Sequence, residues 1–499
     1  MDPVTLGMAN AAAKRALEPV GFRVVSQRGK IGSSQSNGTD LTQKSRTRWV
    51  IRGACGEVVF VFSNFYLPSG GHESPNPYTV TVTICVEDPT TNAGDAAGTL
   101  TIPVFFNGKR NGVLEASGIL ISDPVAVNVP DGGVVWLRCS PAVASGDKWV
   151  NALSASNSPT AIFDGGGVSE GMLAGNSVID SGTIGVGAGN VFGPTMILGR
   201  AAAGTRKPSV LIVGDSIAAE TNIITSGDTS YMTRACMLAG YATTRISEGG
   251  ERLFQIIAAS TAWKRWRLAR HCTHVISNYG VNDIYSSART LAQVKADALT
   301  MFTMWQRLGL KVFQLTVLPR LNASTDGYMT VAGQSITDAP KEAIRAAFND
   351  WLLDNTSSGA KTQSGGALVG VLDPCALIEV NAAGVLTHNG GFWAVPGGAV
   401  VTGTATGYTT TTITDTGAAR TVMADVGKVI AITSATTGAG QAAAVTSNTA
   451  TTWTFGALTL PTGTVTYQLG ASYFVDGTHP SETAHDLIGN ALSVDALTI

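Results

Sequence analysis

Three residue types that together can carry out acyl transfer stand beside apolar runs in this sequence: Ser216, His479 and, three residues before the histidine, Asp476. A serine hydroxyl is a poor nucleophile until a base takes its proton, so it needs an imidazole within reach and a carboxylate to orient that imidazole. Ser216 follows Pro208-Ser209-Val210-Leu211-Ile212-Val213-Gly214-Asp215, which reads as a buried strand that breaks at Gly214 into a polar turn. If a helix starts at or just after Ser216, Asp215 or Ser216 can cap it, and the free N–H groups there suit a developing negative charge. His479 lies in Val475-Asp476-Gly477-Thr478-His479-Pro480. On a tight loop, that spacing lets the Asp476 carboxylate reach the imidazole Nδ1–H while Nε2 faces the serine.

A tetrahedral intermediate also needs donors aimed at its oxyanion, and two turns after strand-like runs offer them. Asn282 in Gly280-Val281-Asn282-Asp283 brings a side-chain amide, and a glycine of Ser247-Glu248-Gly249-Gly250-Glu251, either Gly249 or Gly250, brings a backbone N–H that can approach a ligand closely. With the N–H of Ser216 these make a three-donor hole.

The elements that must hold these groups form an alternating pattern. Val210 to Val213, Ala242 to Ile246, His274 to Asn278, Val312 to Val317 and Val369 to Leu372 read as strands. Glu251 to Arg270, Arg289 to Leu308 and Lys341 to Asp354 read as amphipathic helices between them. Such alternation predicts a parallel sheet covered by helices on both faces, with its site beyond the carboxyl ends of the strands, where Ser216 falls.

The rest of the chain reads differently. Residues 1–47 are expected to be a flexible or partner-docked arm, with a short helical pattern from Leu6 to Leu17 and a Ser/Gly-rich linker. Residues 48–143 carry short strand-like runs between Pro/Gly/Asn turns and predict a jelly-roll-like β-sandwich. Residues 144–206 are Gly/Ser-rich and read as an extended connection. Residues 207–393 and 471–499 form the α/β domain, interrupted at 394–470. Positions 401–470 hold 22 threonines and only four charged residues, which predicts a small inserted β subdomain.

Composition narrows the classes of function. Lys and Arg number 33 against 35 Asp and Glu, with no long basic run, so nucleic acid is not the expected partner. No apolar stretch approaches the ~20 residues of a membrane span, and the N-terminus lacks a Sec-type signal, which leaves localisation open. The six cysteines, Cys55, Cys85, Cys139, Cys236, Cys272 and Cys375, form no C-x-x-C pair and read as free thiols, with a single bridge among the first three left open. No metal or cofactor is implied.

Four motifs in order, Gly214-Asp215-Ser216, the Gly249/Gly250 turn, Gly280-Val281-Asn282-Asp283 and Asp476-Gly477-Thr478-His479, resemble those of the SGNH (GDSL-type) hydrolases. The resemblance covers roughly 207–393 and 471–499. It implies a flavodoxin-like three-layer fold and ester hydrolysis. Ser216 would be the nucleophile, His479 the base and Asp476 its orienter; Ser216, Gly250 and Asn282 would form the oxyanion hole. The sandwich and the Thr-rich insert favour a sugar surface over a lipid one, so the expected substrate is an acylated, above all acetylated, carbohydrate. The arm, sandwich and insert also loosely resemble phage tail and receptor-binding proteins, which makes a glycan-binding or virion structural protein, as a homo-oligomer or in virion assembly, the second reading.

Other motifs have simpler explanations. Gly167-Val168-Ser169-Glu170-Gly171 matches the G-x-S-x-G elbow but follows no strong strand. His271 and His274 flank Cys272 with no carboxylate close by, which favours structural roles over metal ligation. His485 is expected on the closing helix, and His388 near the insertion point. Most aromatics of the insert are expected in its core, while Trp393 and Tyr473, which flank it, and Asp215 are the candidates for substrate contact.

Overall fold

The computed structural model describes residues 21–499 apart from 27–28, 69, 88–100, 152, 156–170, 175–183, 185–188, 202–205, 220–229, 322–323, 325, 337, 398–399, 440, 475 and 499. The Leu6–Leu17 helical pattern and most of the Gly167–Gly171 motif lie outside the described residues.

The α/β part is built on a parallel sheet whose strands run, edge to edge, Gly29–Lys30, Ala242–Arg245, Ser209–Val213, His274–Ser277, Lys311–Leu315 and Leu368–Leu372. Leaving aside the short edge strand, the order in chain numbering is 2-1-3-4-5. The reversal point falls at Ser209–Val213, where crevices open in sheets of this order. All five residues of that strand are buried, as the unbroken Ser-Val-Leu-Ile-Val run requires of a central parallel strand. Helix Tyr231–Leu238 packs against Glu482–Ala491, and Leu291–Arg307 packs against Ala339–Leu353.

Two antiparallel sheets precede this unit. One pairs Phe22–Val24, Met196–Ala201, Cys55–Ser63 and Ile119–Ile121; the other pairs Gly112–Leu114, Val80–Glu87, Val134–Ala142, Gln43–Val50 and Gly171–Ala174. The strand Cys55–Ser63 shows why they stack. Val58, Phe60 and Phe62 enter the core between the sheets, whereas Val59 and Val61 point the other way and join Val210 and Ile212 in the α/β core. One sheet is thus covered on both faces, so the two units share a buried apolar contact.

Three expectations change here. Residues 22–24 and 29–30, expected in the arm, are strands: Phe22–Val24 extends a sandwich sheet and Gly29–Lys30 pairs with Ala242–Arg245. Gln43–Val50 begins before residue 48. The stretch 144–206, expected to be an extended connection, supplies Met196–Ala201, which pairs with Cys55–Ser63 over most of its length. The six cysteines are free and buried.

The insert forms a seven-stranded antiparallel sheet ordered Val401–Thr404, Thr466–Gly470, Val429–Ser434, Ala442–Asn448, Thr452–Phe455, Thr412–Thr414 and Gly407–Tyr408. Its two edge strands are consecutive in the chain, joined by residues 405–406. Laid flat, seven strands would separate the edges by about 29 Å, but so short a link spans only about 10 Å. The sheet must therefore curl, and Ile413, Ile430, Val445, Trp453, Tyr467 and Leu469 fill its interior.

Candidate active site

Ser216 follows the central strand in a turn in which Ala219 N–H donates to the Asp215 carbonyl, and the next described helix begins at Tyr231. Asp215 Oδ1 accepts the Ile217 N–H at 2.9 Å, so the aspartate caps this turn. Asn278 locks it from the neighbouring strand end: its Oδ1 accepts the Asp215 N–H at 3.3 Å and its Nδ2 donates to Asp215 Oδ1 at 2.9 Å. Only glycine fits at 214, where a Cβ would lie 1.6 Å from Asn278 Oδ1. Burial pushes the Asp215 carboxyl up to about 6, against those hydrogen bonds and the nearby His479. Asp215 has no exposed surface, so it supports the turn and does not touch substrate as expected.

The second loop is held as firmly. Gly477 has φ +79°, and a Cβ there would lie 2.5 Å from the Leu321 carbonyl oxygen and 2.6 Å from the Tyr328 hydroxyl. The Leu321 N–H donates to the Gly477 carbonyl at 2.8 Å. Ser481 caps the helix Glu482–Ala491, and its Oγ donates to the Ser472 carbonyl at 2.6 Å. That helix is bonded to Tyr231–Leu238 through Arg234 Nε to Asn490 Oδ1 at 2.8 Å, an Arg234–Asp486 ion pair, and the Tyr231 N–H to His485 Nδ1 at 3.0 Å. The helix that follows Ser216 and the helix that follows His479 are therefore fixed to one another.

Between these loops the three groups meet. His479 Nε2 lies 2.7 Å from Ser216 Oγ, and His479 Nδ1 lies 2.7 Å from Asp476 Oδ2. Asp476 Oδ1 also accepts the backbone N–H of Thr478 at 3.0 Å and of His479 at 2.9 Å. Burial works to raise the Asp476 carboxyl, but the His479 contacts and the two N–H groups outweigh it and hold the group at about 2. An ionised carboxylate only accepts, so Nδ1 carries the proton and Nε2 is left to accept from Ser216 Oγ–H. This arrangement can remove the serine proton as the oxygen attacks a carbonyl carbon.

Asn282 is buried at the N-terminal end of Val281–Tyr285, and its Nδ2 donates one hydrogen to the Glu251 carbonyl at 3.1 Å, which orients the amide. Glu251 is itself held by Arg265 Nη1 at 2.9 Å and by the Tyr279 hydroxyl. Gly250 is exposed, has φ +78°, and has no atom within 4 Å of its Cβ position. The neighbouring Glu248 N–H donates to the Gly214 carbonyl at 3.0 Å, which ties this turn to the Ser216 turn.

The remaining candidates are placed elsewhere. Trp393, expected to contact substrate, is fully buried: Nε1 donates to the Pro319 carbonyl at 3.0 Å, and the ring meets Phe474 edge-on. An indole is driven into the core when its one polar atom finds a partner there. Tyr473 is half-buried against the α/β core. His388 pairs with Asp373 at 3.1 Å, and His485 lies in the closing helix. His271 and His274 are buried, and among the described residues no group of three His, Cys, Asp or Glu could hold a metal. Sequence reasoning missed Asn278, whose only signal was its place at a strand end next to the Ser216 strand. It also missed Tyr328 and residues 70–73, which reach the site from distant parts of the chain.

No family model and no curated protein matches the sequence. Solved structures that resemble the chain include a lipolytic protein of the G-D-S-L family from Desulfitobacterium hafniense, 13% identical, with 36% of this chain and 85% of that one covered at a TM-score of 0.27. A family two carbohydrate esterase from Clostridium thermocellum is 11% identical over 60% and 78% of the two chains, with a TM-score of 0.24. A carbohydrate esterase family 2 enzyme with a carbohydrate binding domain, from Corynascus thermopiles (Myceliophthora fergusii), is 12% identical over 68% and 95%, with a TM-score of 0.25. Likenesses this remote carry no weight for function, which rests on the geometry above. Among the described residues, no helix is long and apolar enough to cross a membrane.

Proposed function

We propose that this protein is a serine esterase of the SGNH type, with a three-layer hydrolase domain, that removes acyl groups, above all acetyl, from a carbohydrate. The observation that carries this reading is the single imidazole bridging Asp476 and Ser216 at 2.7 Å on either side. Ser216 Oγ attacks the ester carbonyl while His479 Nε2 takes its proton. The oxyanion is received by the N–H groups of Ser216 and Gly250 and by the second hydrogen of Asn282 Nδ2. The alkoxide leaves with the proton from His479, and water repeats the sequence to free the acid. No cofactor is required. The carbohydrate is favoured by the polar, threonine-rich insert, whose Val429 and Ala431 pack with Met329, next to Tyr328, whose hydroxyl lies against Gly477.

The test is turnover of p-nitrophenyl acetate by wild type and Ser216→Ala, followed by acetate release from a panel of acetylated polysaccharides. Turnover lost in Ser216→Ala is expected. Equal rates would overturn the assignment.

A further inference from the structure

The turn that carries Gly250 presents a physical difficulty. An oxyanion donor must be fixed before the charge develops, because reorganisation during the reaction would consume its benefit. Yet Gly249 and Gly250 are adjacent glycines, the residue type with the most conformational freedom to lose, and nothing packs within 4 Å of the Gly250 Cβ position. Its rigidity has to come from hydrogen bonds.

Besides the Glu248 N–H bond to the Gly214 carbonyl, such bonds come from the β-sandwich. The Gly70 N–H donates to the Gly249 carbonyl at 3.1 Å, and Gln255 Nε2 donates back to the Gly70 carbonyl at 3.3 Å. The N–H groups of Gly71 and His72 both donate to Glu248 Oε1, at 2.6 and 3.2 Å. One residue on, the buried Glu73 carboxylate accepts the N–H of Lys264 at 2.9 Å and of Arg265 at 3.0 Å. Arg265 in turn holds Glu251, whose carbonyl orients the Asn282 amide. The fit is close: Gly71 has φ +87°, and a Cβ there would lie 2.3 Å from the Gln255 amide.

We propose that residues 70–73 of the sandwich clamp the Gly249-Gly250 turn through Glu248, and brace Asn282 through Glu73, Arg265 and Glu251, so that the β domain is an integral part of the oxyanion site. Glu248, Gly71 and Glu73 are positioning residues: they act through Gly250 and Asn282 and touch no substrate. The inference rests on the esterase reading and extends it to a domain far from the serine in sequence.

The experiment compares wild type, Ser216→Ala, Gly71→Ala, Glu248→Ala and Glu248→Gln on p-nitrophenyl acetate. It also measures affinity for a small alkyl boronic acid, whose tetrahedral serine adduct places an oxygen in the hole. Loss of a whole donor costs on the order of 10²–10³ in kcat, so a loosened one should cost roughly 10- to 100-fold. Gly71→Ala and Glu248→Ala should show that fall in kcat with KM little changed and boronate affinity reduced in parallel. Glu248→Gln keeps an acceptor oxygen and should restore most of the loss. Amide exchange in the wild type gives a readout that needs no variant: segments 70–73 and 247–252 should open together. Wild-type kcat and boronate affinity in folded Gly71→Ala and Glu248→Ala, or rapid exchange of 247–252 while 70–73 stays protected, overturn the clamp. A wild type no more active than Ser216→Ala overturns the esterase reading and the clamp with it.

Discussion

Replacing Asp476 by asparagine isolates the orientation of one proton. Among the described residues, Asp476 accepts from two backbone N–H groups at Oδ1 and from His479 Nδ1 at Oδ2. An asparagine of the same shape must present its oxygen to one side and its amide to the other. With the oxygen toward Nδ1, the amide would face two N–H donors. With the oxygen toward the backbone, both of those bonds survive and the amide donates to Nδ1. The second arrangement wins because it leaves no donor facing a donor. It strips Nδ1 of its proton, so the neutral ring carries hydrogen on Nε2 and donates to Ser216 Oγ, 2.7 Å away, when it ought to accept. A wrong tautomer of this kind costs on the order of 10⁴ in kcat, about 5.5 kcal/mol in the barrier. The loop keeps its backbone bonds but loses the charge whose contacts hold Asp476 at about 2, so the melting temperature should fall somewhat while the chain still folds. Steady-state hydrolysis of p-nitrophenyl acetate alongside a melting curve checks both. A folded Asp476→Asn within tenfold of wild type would refute the assignment of Asp476 as the group that orients His479.

Three further outcomes are expected. Asn282→Ala should lower kcat on the order of 10²–10³ with KM nearly constant, since in the proposed mechanism the amide hydrogen not given to Glu251 meets the oxyanion only as it develops; a change confined to KM would remove it from the hole. Gly477→Ala and Gly384→Ala place a methyl group at nearly the same φ, +79° and +77°, but only the first meets a wall, 2.5 Å from the Leu321 carbonyl oxygen, whereas the second has its nearest neighbour at 3.9 Å. Both should lose about 1–2 kcal/mol to backbone strain, while only Gly477→Ala should lose roughly 100-fold in activity through loop displacement, and equal kcat values would contradict this. Burial, with the nearby His479, lowers His485 to about 3, so it stays neutral in the folded chain while the unfolded chain takes up a proton below about 6.5. That contribution to stability is complete above about 6.5 and is lost as pH falls toward 3; His485→Asn should make the stability curve between pH 4 and 6 shallower by about 1.4 kcal/mol per unit, and parallel urea-denaturation curves would show the argument wrong.

What the sequence determined by itself were features written in local pattern. The strand ending at Val213 was readable because a run of β-branched and apolar residues ends at a glycine, and the Ser216, Asp476 and His479 positions because each sits where such a run breaks. Val58 to Phe62 likewise reads as a strand from its apolar run, while its burial on both faces is a product of the two units that cover it.

Tertiary structure decided what depends on contacts between distant residues. Gly29–Lys30 has no strand signal of its own and becomes one because the edge at Ala242–Arg245 offers unpaired backbone groups. Asp215 and Trp393, expected at the substrate, turn inward: Asn278 bonds the Asp215 N–H and Oδ1, and the Pro319 carbonyl accepts from the Trp393 indole. The hydrogen bonds from Gly70, Gly71 and His72 to Glu248 and Gly249 span more than 170 residues. Periodicity records only which face of an element is buried; it holds no information about which partner covers that face or which loop arrives to complete the site.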